Sequence, residues 1–189
     1  MGARAEAAEA NGERILDATE ALFWAEPGRE ATLEEIARGA GVSVQTVIRR
    51  FGGRDGVEAA AHRRAFGRMG AQRAEATPGD LAGAVAVLVA HYDALGDGVM
   101  RMLADEHRRP ALAEIVRGGR SYHVAWCERV FAPALAGLRG AERDRRLAQI
   151  IAVCDVFTWK LLRRDQGLSR AQTELALREL LEPLTTKER

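Results

Sequence analysis

Residues 32 to 51, TLEEIARGAGVSVQTVIRRF, leave the backbone little choice. Thr32 followed three positions later by Glu35 is a capping box, in which each side chain satisfies a backbone amide of the other, so a helix starts at Leu33. Gly41 supplies the left-handed backbone that ends it. Ser43 is placed to cap a third helix reaching Phe51. Ala37 is small where a second helix must approach closely, and Val42 and Val47 point back to Ile36 and Ala40. Burying Val47 and Phe51 turns the other face outward, and that face carries Ser43, Gln45, Thr46, Arg49 and Arg50.

Two helices joined by a glycine turn at this spacing form a helix-turn-helix unit, whose second helix enters the major groove of DNA. The outward residues suit that task. Gln45 donates and accepts together, which matches an adenine edge, and Arg49 forks onto guanine O6 and N7. Thr46 bonds phosphate or packs on a thymine methyl. Arg50 and Arg54 are better placed for phosphate, and Thr32, at a helix start, shares a phosphate with free backbone amides.

The charge distribution fits a local basic site. The whole chain carries 28 Lys+Arg against 27 Asp+Glu, a formal net charge of +1, so no general affinity for polyanions follows. Residues 49 to 73, however, hold seven arginines against Asp55 and Glu58, a net of +5. Residues 1 to 48 hold nine acidic residues against four arginines, a net of −5.

Elsewhere Val and Ile recur at spacings of three and four among Ala, Leu, Arg and Glu, which is helical, and strand signals are scarce. The expected class is all-α. Residues 1–10, Ala-rich, are expected to be disordered. Residues 11–56 are expected to form the DNA-binding domain, with a first helix at 12–25 broken by EPGRE at 26–30. A connecting helix follows at about 55–74, and residues 76–189 form a second helical domain. Within it the pattern predicts helices at 78–94, 97–107, 110–138, 141–165 and 169–184, with Thr77 and Pro78 opening the first. The N-terminus lacks the apolar segment of a secretory signal. The longest uncharged apolar run, 81–92, is too short to span a bilayer. No membrane association is expected, and a cytoplasmic location is.

The segments ERILDATEALF (13–23), ATLEEIARGAGVS (31–43) and QTVIRRFGGRDGV (45–57) resemble the TetR family of transcriptional repressors. The resemblance covers about the first 60 residues. It implies an N-terminal three-helix reader, a connecting fourth helix and a C-terminal helical domain for ligand binding and dimerisation. It further implies a homodimer on a double-stranded, palindromic DNA operator, released by a small-molecule effector. Three positions depart from the family: Ile48 stands where a phosphate-touching aromatic is usual, Arg50 stands where His or Tyr is frequent and is placed to restore that contact through charge, and Val44 replaces a more usual polar residue, either meeting a thymine methyl or simply being exposed.

A one-helix reader needs two half-sites, hence a dimer. Leu147, Ile150, Ile151, Cys154 and Leu161, with Leu177 and Leu181 in the last helix, make the stripes expected at a four-helix interface. Tyr92, Met100, Trp126 and Phe157 are the expected lining of the ligand pocket.

Two other classes compete. An enzyme finds little support: the only helical pair with metal-ligand spacing is His123 and Cys127, with no third ligand, and no phosphate loop or nucleophile elbow occurs. No metal, cofactor or catalytic residue is expected. A helical interaction module using its arginines on an acidic protein partner is the alternative.

Overall fold

A computed structural model describes residues 2–26, 29–108 and 110–186. Pro27 and Gly28, in the expected break after the first helix, and the last three residues of the second domain lie outside the described residues, as does Met1. Among the described residues the regular structure is helical throughout, and the chain divides into two compact units, residues 1–70 and 71–189.

In the first unit α1 spans Gly2–Ala25, α2 Leu33–Ala40 and α3 Val44–Phe51; α4, Arg54–Ala74, begins here and ends in the second unit. The expectation of a disordered start is corrected: α1 begins at Gly2. Ala, Glu and Arg are strong helix formers, and the first ten residues add turns to a helix that Ile15 and Leu22 already anchor.

The capping box at Thr32 forms. Thr32 Oγ1 accepts from the Glu35 amide at 3.2 Å, and Glu35 accepts from the Thr32 amide at 2.9 Å. That backbone amide and the Arg29 guanidinium hold the Glu35 carboxyl down at about 2. Gly41 is left-handed (φ 65°), and its αL turn lets the Val42 amide reach the Ala37 carbonyl at 3.0 Å. Ile15, Ala31, Ile36, Ala37, Ala40, Val47 and Val57 form the core of this unit.

In the second unit α5 spans Leu81–Asp105, α6 Pro110–Val130, α7 Ala132–Leu135 and α8 Gly140–Val153. The short α9, Val156–Lys160, continues into a π turn at Leu161–Asp165, and α10 spans Arg170–Thr185. Four expected boundaries differ. Thr77 to Asp80 form a turn, closed by the Asp80 amide on the Thr77 carbonyl with Gly79 at φ 84°, and Asp80 caps α5 in place of Thr77. Proline followed by a left-handed glycine favours such a turn over a helix start. The two helices expected at 78–94 and 97–107 are one, because Gly96 lets the Trp159 ring sit directly on the α5 backbone, where any Cβ would collide with it. That packing outweighs the ~1 kcal/mol helix penalty of a glycine. The helix expected to reach 138 stops at Val130, and Pro133, which lacks an amide proton, falls in the separate turn of α7. The helix expected at 141–165 breaks at Cys154–Asp155, where extended Asp155 accepts the Phe157 amide at 2.9 Å and starts α9.

Asp93 on α5 fastens the end of this bundle. It accepts from Trp159 Nε1 at 3.0 Å and from Arg163 Nε at 3.0 Å, while Asp97 takes Arg164 at 2.9 and 3.0 Å. The core runs through Leu88, Val89, Trp126, Ile150, Trp159, Leu177 and Leu181.

His91 on α5, 2% exposed, gives this unit a pH response. Burial, with the charges of Arg73 and His123, pushes its imidazole from 6.5 down to about 3. Below pH 6.5 the unfolded chain therefore takes up a proton that the folded chain refuses. Stability is held above 6.5 and drains as the pH falls toward 3. The melting temperature of wild type is expected to drop over that window, and His91→Gln should flatten the part of the drop above pH 5. Parallel acid slopes for the two proteins would contradict this.

A candidate DNA-binding face

The face is built on α3. Ser43 caps it, Oγ accepting from the Thr46 amide at 3.2 Å, and the Ser43 and Thr46 hydroxyls lie 2.9 Å apart. Val47 is 0% exposed and fixes the rotation of the helix about its axis. Gln45 and Arg49 fall on the outer side, both exposed. Within the chain neither has a hydrogen-bond or ion-pair partner among the described residues. That distinguishes Arg49 from Arg50, Arg54, Arg64 and Arg68.

Arg50 pairs with Glu9 at 2.7 Å, and Arg54 with Glu30. Arg64, 15% exposed, lies among Glu13, Asp17 and Glu20 at 2.6 to 2.9 Å, and Arg68 joins it on Glu20. The acidic first segment and the basic segment after it thus neutralise each other. Four of the seven arginines in the +5 stretch are held in ion pairs, and Arg49 and Arg63 are the ones that stay exposed and unpaired among the described residues.

Thr32 is occupied as the cap of α2 and remains exposed at the helix start. Val44 is half-buried against the core, so the expected exposed methyl contact is reduced. Ile48, 38% exposed, puts an aliphatic surface beside Arg49.

Sequence reasoning missed the contribution of α1. Ala8 and Asn11 line a cleft of about 350 Å³ with Thr46, Arg49 and Arg50. Gly12 is buried under the Arg50 guanidinium, where an added Cβ would come within 2.6 Å of Nε. The signal was present as small or short residues at positions 8, 11 and 12, three and four apart, but it is readable only once α1 is known to start at Gly2.

In the second unit the expected pocket residues separate. Tyr92 and Trp126 are buried in one cluster and Met100 packs against it, whereas Phe157 is 56% exposed and is corrected to the surface. Its amide is held by the Asp155 cap, and this new helix start turns the ring outward. The expected interface stripe is also corrected in part. Ile150, Cys154, Leu177 and Leu181 are at most 1% exposed and face the core of their own chain, against which Leu147 and Ile151 pack. Leu161 stays exposed at 50%, as do Leu175 and Leu180.

Two short helices, a left-handed glycine between them and an unpaired Gln/Arg face on the second define a helix-turn-helix DNA-binding domain. Residues 15–61 match the family described as bacterial regulatory proteins, tetR family, and the N-terminal unit is a TetR-family domain. No curated protein is significantly similar to the chain. The crystal structure of a transcriptional regulator from Rhodococcus sp. Rha1 shares the fold, with a TM-score of 0.61 at 23% identity over 94% of this chain and 95% of that one. No helix among the described residues is long and apolar enough to cross a membrane.

Proposed function

We propose that the protein is a sequence-specific transcriptional regulator, a cytoplasmic repressor that binds a palindromic operator as a homodimer and leaves it when a small molecule binds. The observation that carries this reading is the pairing pattern on α3: Gln45 and Arg49 are exposed and unpartnered while every paired arginine nearby is neutralised. Residues 11–56 are the reader, the helix at 55–74 the connection, and 76–189 the ligand-binding and dimerisation domain. Arg49 forks onto guanine, Gln45 reads adenine, and Ser43, Thr46 and Thr32 contact phosphate. Arg50 and Arg54 turn to phosphate at the expense of their exposed pairs with Glu9 and Glu30, which are worth little in water. Exposed Phe157, Leu161, Leu175 and Leu180 support self-association, since large apolar side chains left in water favour a partner.

The test is enrichment of random duplexes by the purified protein. A shared palindrome is the expected product, with affinity falling by ~0.9 log units per log unit of salt for each phosphate neutralised. Gln45→Ala should relax preference at one base pair in each half-site, at a cost of roughly 1–3 kcal/mol. Weak binding indifferent to sequence would favour the interaction module instead.

A further inference from the structure

Arg73, in the last turn of α4, is 2% exposed, yet among the described residues it forms no ion pair with a carboxylate. Its Nη2 lies 3.2 Å from His123 Nδ1, and its guanidinium sits 4.3 Å over the Trp126 ring. The Tyr122 and Tyr92 rings stand 5.8 and 5.9 Å away. Its Nε is buried with no hydrogen-bond partner. A guanidinium is always charged, and a buried charge without a counter-ion is among the costliest groups a fold can hold.

The position is built. The Arg73 carbonyl accepts from Trp126 Nε1 at 2.9 Å and from Arg129 Nη2 at 3.1 Å, and Arg129 Nη1 reaches the Ala76 carbonyl at 3.0 Å. These bonds fix the end of α4 against α6 and aim the side chain among the rings. On the far side of the imidazole stands Cys127, whose Sγ lies 3.8 Å from His123 Nε2. Its thiol is pulled down by the Cys154 thiol and then by His123 and Arg73. That sulfur meets Arg73 only through the imidazole, and Nε stays unserved. His91 is neutral at ordinary pH and adds no second cation.

We propose that Arg73 is the anion-binding residue of the regulatory site, and that the effector is a small carboxylate with an aromatic or apolar body. The planar carboxylate matches the Nε–Nη2 edge of the guanidinium with two parallel bonds. The body lies against Trp126, Tyr92 and Tyr122. One buried cation walled by rings suits a monoanion with an apolar body better than a heavily hydrated dianion. This assignment rests on the reading that a small molecule regulates the protein. It places the captured charge on α4, which is continuous from Arg73 back to Arg54.

The experiment uses the full chain and a panel of matched pairs: benzoate, phenylacetate, cinnamate and octanoate, each with its primary amide. Binding is followed by calorimetry and tryptophan fluorescence in wild type, Arg73→Lys and Arg73→Gln. At least one carboxylate is expected to bind about ten-fold or more tighter than its amide, a free-energy gap that a single charge-assisted pair supplies. Arg73→Gln should erase the preference and Arg73→Lys should keep part of it. Should Arg73→Gln fail to fold, wild type alone decides. A bound carboxylate raises the Cys127 titration, seen as loss of thiolate absorbance, and the amide does not. Equal binding of acids and amides, a preference surviving in Arg73→Gln, or no binding by any member overturns the assignment. Release of operator DNA is scored separately. An amide that releases DNA keeps the effector reading and removes Arg73 from it, whereas a carboxylate bound at Arg73 without release keeps the anion site and removes the regulation.

Discussion

Val47→Asp should abolish sequence-selective DNA binding and unfold the first unit while the second still melts cooperatively. Val47 is 0% exposed, packed in a core of seven small or medium side chains drawn from α1, α2, α3, α4 and Ala31, just ahead of the α2 cap. An aspartate there loses the transfer energy of the valine, about 1.5–3 kcal/mol. It also buries a carboxyl with no partner, or forces α3 to roll and expose it. The combined loss, about 4 kcal/mol or more, is comparable with the whole stability of a small domain. Val47→Ala, by contrast, removes two methyl groups, costs roughly 1–2 kcal/mol and should keep measurable binding. Circular dichroism melts and limited proteolysis report the folding, and fluorescence anisotropy on a selected duplex reports the reading. An aspartate variant that bound DNA normally would mean that Val47 does not hold α3.

The second large effect is expected from Trp159→Ala in the other unit. Trp159 is 1% exposed, its ring lies on the Gly96 backbone, and Arg164 stacks over it at 4.6 Å. Deleting a buried tryptophan costs ~3–5 kcal/mol through lost contacts and the cavity left behind. Asp93 also loses the indole donor at 3.0 Å, although Arg163 still serves it. Calorimetry should show a lower melting transition of the second unit with the first unchanged. Trp159→Phe should recover part of the loss, since it fills most of the space without the hydrogen bond. A melting curve unmoved by the alanine would remove Trp159 from its place as the closure between α5 and α9.

What the sequence made legible was local. The Thr32 and Ser43 caps, the Gly41 turn and the inward valines are set by bonds between residues two to four apart, and all four appear as expected. The reader's outward face followed from the same spacing. Long-range pairing was hidden. Nothing near Arg50 announces Glu9, 41 positions away, and nothing near Asp93 announces Arg163, 70 away. The stripe from Leu147 to Leu161 reads as one helix because apolar spacing outweighs a single Asp155, yet that carboxylate begins a new helix and rotates Phe157 into solvent. The same stripe could not say whose core it faced, since a helix packed in its own bundle and one packed on a partner share one pattern. The break expected between 94 and 97 is absent for a similar reason: glycine at position 96 is compatible with a turn or a close approach, and only the ring across from it decides.

The carboxylates of α1 that occupy Arg64 and Arg68 have an effect beyond fastening two helices together. They neutralise part of the diffuse cationic charge by which a protein adheres to any polyanion. In the proposed role such a molecule would spend little of its time parked on bulk genomic duplex, and a small number of copies would keep its target occupied.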